Sequence, residues 1–105
     1  MPRAYWVAHV TVDDPQGYEA YRAANGAAFA RFGGRFLVRG GAQEVVEGQV
    51  RPRSVVIEFA SRADAEACYH SPEYQAALAL RRPVSSADLV IVDGWDDPGT
   101  SAGSP

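Results

Sequence analysis

The order in which apolar periodicities change along the chain constrains its fold most. Ala4 to Val12 (AYWVAHVTV) is rich in aromatic and β-branched residues and reads as a strand. Asp13-Asp14-Pro15 then signals a helix start. Asp14 can accept from free backbone amides, and proline suits the first helical position. Tyr18, Tyr21, Ala24, Ala28 and Phe32 recur at three- and four-residue steps, one apolar stripe of an amphipathic helix that Gly33-Gly34 ends. Arg35 to Arg39 reads as a second strand, Gln43 to Glu47 as a short third strand or hairpin arm, and Gly48 to Pro52 as a turn. Arg53 to Ala60 (RSVVIEFA) is a strong strand. Ser61 with Asp64 opens a helix through Tyr69, and Ser71-Pro72 restarts one through about Arg81. Pro83 ends it, and Leu89 to Trp95 is the last strand. The order β-α-β-(β)-β-α-β predicts an α+β, ferredoxin-like βαββαβ antiparallel sheet with helices on one face.

A chain of 105 residues has room for one domain, expected over 1–95, and the small polar run 96–105 (DDPGTSAGSP) is expected to be a disordered tail. The 47% hydrophobic and 22% charged shares exclude a fibrous or disordered chain. No apolar run approaches the ~18–20 residues of a membrane helix, and Met1-Pro2-Arg3 runs into a strand rather than a secretory leader. A cytoplasmic protein without a membrane partner is expected. All ten cations are arginine, scattered and outnumbered by thirteen carboxylates, so a nucleic-acid partner is not expected. Without lysine no Schiff base can form. Cys68 stands alone and reads as an inert buried thiol. Two histidines on separate elements make a poor metal site, and no glycine-rich phosphate loop or serine triad occurs, so neither metal nor cofactor is expected.

Strand alternation sorts the side chains onto two faces. Trp6, Ala8, Val10 and Val12, with Phe36, Val38, Val55, Ile57 and Phe59, form apolar sets that should meet the helices. The opposite face would then carry Tyr5, Val7, Leu37 and Val56 together with His9, Arg39 and Glu58. That face is too apolar to leave to water, and a second copy is the simplest cover. A homodimer packed sheet against sheet is the expectation.

The segments DPQGYEAYR (Asp14 to Arg22), FGGRFLVRGG (Phe32 to Gly41), VVEG (Val45 to Gly48), RSVVIEF (Arg53 to Phe59), SPEYQAALALR (Ser71 to Arg81) and VIVDGW (Val90 to Trp95) resemble the family called domain of unknown function 1330. The resemblance spans about Ala4 to Trp95. It implies a dimeric α+β barrel, a superfamily that includes cofactor-independent monooxygenases, cyclases and lactone isomerases. It implies architecture and no particular reaction.

The candidate site residues follow from the faces and the helix stripes. Tyr18, Tyr21, Tyr74 and Arg81, with Arg39, would bind a small anionic or aromatic molecule. His9 and Glu58 are the candidate proton-moving, catalytic groups. Arg39 and Glu58 are expected on one face, as a substrate-handling pair or as an ion pair in the dimer seam. Three readings compete: a small-molecule-binding dimer, a cofactor-independent isomerase, cyclase or oxygenase acting on an activated ring, and a purely structural dimer module.

Overall fold

A computed structural model describes residues 2–95; the expected tail lies outside them. Strand β1 (Ala4–Val12) leads to α1 (Pro15–Phe32), then to β2 (Arg35–Arg39) and β3 (Arg53–Phe59). Helices α2 (Arg62–His70) and α3 (Pro72–Arg81), a short 3-10 turn and β4 (Ser85–Asp93) complete the domain. The four strands lie in the order β2-β3-β1-β4, every pair antiparallel. This is the ferredoxin-like arrangement that the element order predicts.

Local chemistry fixes the helix ends. Asp14 accepts from the Gly17 amide at 3.2 Å, and Ser61 from the Asp64 amide at 3.1 Å. Ser71 caps α3 by accepting from the Tyr74 amide and donates to the Cys68 carbonyl at 2.7 Å. One buried hydroxyl thus ends α2 and starts α3. Gly33, at φ +74°, turns the chain out of α1 while the Gly34 amide donates back to the Phe29 carbonyl.

The helices cover one sheet face. Trp6 lies at the centre of that layer, edge-on to Phe29 and Tyr74 at 5.2 and 4.9 Å between ring centroids. Its indole N–H donates to the Ala65 carbonyl at 2.9 Å, so the one polar atom of the ring is satisfied. Cys68 is fully buried there, and burial pushes its thiol up to about 12.

Three expectations need correction. Of the two readings of Gln43 to Glu47, the strand fails: β2 pairs directly with β3, and the segment between them takes no place in the sheet. It belongs to an exposed arm, residues 40–52, tied down by Gln43, whose side-chain amide donates to the Arg51 carbonyl. The last strand begins at Ser85 rather than Leu89 and ends at Asp93. Its first residues are small and polar, but Val12 to His9 of β1 hold them in continuous register.

The third correction concerns Arg39. Phe36 pairs with Ile57, yet Val38 pairs with Val56, so Leu37 is the extra residue of a β-bulge. The bulge flips everything after it. Val38 joins the uncovered face, and Arg39 pairs with Val55 on the helix face. Arg39 and Glu58 therefore do not share a face.

Candidate functional site

A cleft opens between the helix face of the sheet and helices α1 and α3. It holds about 520 Å³ of empty space counted to its open mouth, of which about 40 Å³ admits the centre of a water molecule. Its floor is apolar: Trp6, Phe29, Phe36 and Ile57. Above the floor Tyr21 and Tyr74, both buried, share a hydrogen bond of 2.9 Å between their hydroxyls. Burial raises the pKa of both phenols, and the Tyr74 hydroxyl adds to the effect on Tyr21. At neutral pH the pair is protonated and serves as a donor.

The rim is cationic. Arg22, Arg39, Arg53 and Arg81 line the cleft, with no carboxylate among the lining residues. Each of the last three stacks on an aromatic ring: Arg39 on Phe36 at 4.2 Å, Arg53 on Tyr18 at 5.5 Å and Arg81 on Tyr21 at 5.6 Å. Three buried polar atoms have no hydrogen-bond partner among the described residues, namely Nε of Arg22, Oδ1 of Asn25 and Nε of Arg53. All three residues line this cleft. An unpartnered buried polar group costs about 1–3 kcal/mol, so their convergence marks a place where a polar ligand would be stabilised.

The structure brings Tyr18, Tyr21, Arg39, Tyr74 and Arg81 to this one cleft. Arg39 reaches it only through the Leu37 bulge. Sequence reasoning missed Arg22, Asn25 and Arg53. The signals were present: Tyr18, Tyr21, Arg22, Asn25 and Phe29 follow one helical stripe, and Arg53 alternates with Val55 and Ile57.

His9 and Glu58 lie across the sheet from the cleft. Glu58 accepts from the Tyr5 hydroxyl at 3.2 Å and pairs with Arg35 at 3.2 Å and Arg3 at 3.9 Å. The Tyr5 pKa is raised, first by desolvation and then by the Glu58 carboxylate. His9 shares its Nδ1 with the Ser54 hydroxyl at 2.9 Å, and Ser54 donates to Oε1 of Gln43 at 2.5 Å. Ser54 has one proton, so it accepts from His9, whose Nδ1 then carries the hydrogen. A second, more open hollow runs from His9 and Ser54 along the arm.

Between these two polar ends the uncovered face is apolar. Val38, Val56, Val7 and Val90 stand in one row across all four strands. Val90 is 56% exposed and the neighbouring Val92 45%.

The family model described as domain of unknown function DUF1330 matches residues 3–95. The chain belongs to that family. Among solved structures, this DUF1330 domain is similar to the RPA0582 protein of unknown function from Rhodopseudomonas palustris, at 17% identity and TM-score 0.73, covering 90% of this chain and 84% of that one. SnoaB, a cofactor-independent oxygenase from Streptomyces nogalater, shares the fold at 17% identity and TM-score 0.60, over 94% and 99% of the two chains. A dimeric protein of unknown function with a ferredoxin-like fold from Bacteroides fragilis does so at 14% identity and TM-score 0.60, over 87% and 95%. A search of curated proteins gives no match.

Proposed function

We propose that this DUF1330 domain is a homodimer, packed sheet against sheet, whose subunits each bind a small organic anion with an aromatic or other apolar body in the helix-side cleft. One observation carries the binding reading. Six of the ten arginines, Arg3, Arg22, Arg31, Arg35, Arg51 and Arg62, form ion pairs among the described residues. Of the four that do not, Arg39, Arg53 and Arg81 line this cleft. An arginine stacked on a ring and facing no carboxylate is disposed to fork onto an anion brought by a ligand. The floor of Trp6, Phe29 and Phe36 supplies apolar contact for the rest of that ligand.

The same lining supports binding over base-catalysed turnover. It offers guanidiniums and phenols but no carboxylate or imidazole to act as a base, and the phenols of Tyr21 and Tyr74 have raised pKa values. His9 and Glu58 would act on the other side of the sheet, where the proposed partner packs. The valine row supports the dimer, since a strip of that kind is stabilised by removal from water.

The test is a thermal-shift titration with aromatic carboxylic acids. Specific binding raises the melting temperature with concentration, and Arg39→Ala lowers the apparent affinity about tenfold, the scale of one charge-assisted hydrogen bond. A flat response across the acids, or unchanged affinity in Arg39→Ala, contradicts the reading.

A further inference from the structure

The charge of the cleft constrains its ligand further. Resting on the anion-binding reading above, we infer that the ligand carries at least two negative charges, as a dicarboxylate or an organic phosphate does. Of ten arginines in a chain of net charge −3, four are gathered at one opening. Glu19, which pairs with Arg22 at 2.9 Å, lies outside the lining and offsets one of them. Arg39, Arg53 and Arg81 form no ion pair among the described residues.

A single carboxylate has two oxygens and is satisfied by one guanidinium fork. Bound to one of the three, it would leave two uncompensated cations lining the same low-dielectric aromatic cleft, where like charges repel more strongly than in water. The arginines also arrive from different elements. Arg39 and Arg53 come from neighbouring strands β2 and β3, and Arg81 from the end of α3. They surround the opening from more than one side, so a ligand with separated or multiply charged groups can meet them together. The unpartnered Nε atoms of Arg22 and Arg53 are further donors at the same place, and both call for acceptor oxygens. A phosphate offers three such oxygens and, near neutral pH, a charge approaching −2.

The full chain is titrated calorimetrically at pH 7.5 with benzoate, isophthalate and phenyl phosphate, at low and at moderate salt. The expected result is binding of at least one of the two dianions about tenfold or more tightly than benzoate, with a larger loss on adding salt. Arg53→Gln and Arg39→Gln should each shrink the advantage of the dianion, weakening its binding by a larger factor than they weaken that of benzoate. Equal affinity for benzoate and both dianions would overturn the inference and leave the anion-binding reading standing. Absence of binding by all three would overturn both.

Discussion

The hydroxyl pair that roofs the cleft offers a sharp energetic prediction. Tyr21 and Tyr74 are 8% and 1% exposed, and their hydroxyls lie 2.9 Å apart. In Tyr21→Phe or Tyr74→Phe the surviving hydroxyl loses its partner inside a largely apolar layer. Each single substitution should cost about 1–3 kcal/mol, the penalty of one unsatisfied buried polar group. For a domain of this size that is a fall of roughly 4–20 °C in melting temperature. Removing both hydroxyls removes the conflict, so the double variant should be no less stable than the worse single. The implied coupling is about 1–2 kcal/mol, well above the ~0.5 kcal/mol scatter of independent sites. Urea unfolding followed by tryptophan fluorescence measures it, because Trp6 is buried in edge contact with Tyr74. Two single costs that simply add in the double variant would refute the reasoning.

Other outcomes follow from the same structure. The phenols of Tyr21 and Tyr74 and the thiol of Cys68 all have raised pKa values, so the folded chain keeps protons that the unfolded chain has lost. Stability should be full below about pH 9 and decline as pH rises, by up to ~1.4 kcal/mol per pH unit for each group; a pH series of melts that stays flat to pH 11 would contradict it. Val90→Asp places a carboxylate at the exposed β4 end of the valine row, and light scattering at micromolar concentration should read monomer where the parent reads dimer. Deleting Leu37 should remove the bulge yet leave Val38 opposite Val56 and Arg39 opposite Val55, so aromatic-dianion affinity should stay within about twofold of the parent, and a tenfold loss would contradict the assignment of Leu37 as the extra residue.

Most of the fold was legible because local signals agreed with one another. Asp14-Pro15, Ser61 and Ser71-Pro72 open the helices, and Gly33 closes α1. What escaped depends on partners distant in sequence. The start of β4 is set by hydrogen bonding to β1, which small residues such as Ser85 and Ser86 do not announce. The Leu37 bulge is a mismatch between two strands and has no signature within RFLVR itself. That one residue decides which face receives Arg39, and so a perfectly regular alternation assigned it wrongly. The cleft tyrosines were legible as a stripe on α1 and α3. The cationic rim was legible only in part: Arg39 and Arg81 were read as binding residues, Arg39 from the wrong face, whereas Arg22 and Arg53 were not, because the four arginines come from four elements.

Side-chain NMR of the arginines tests the central claim most directly. With isophthalate added to nitrogen-15-labelled protein, the Nε–H resonances of Arg39, Arg53 and Arg81 should move together and saturate, while those of Arg31 and Arg62, already paired with carboxylates on the outer surface, stay in place. Saturable shifts confined to Arg31 and Arg62, or no saturable shift at all, would contradict the account.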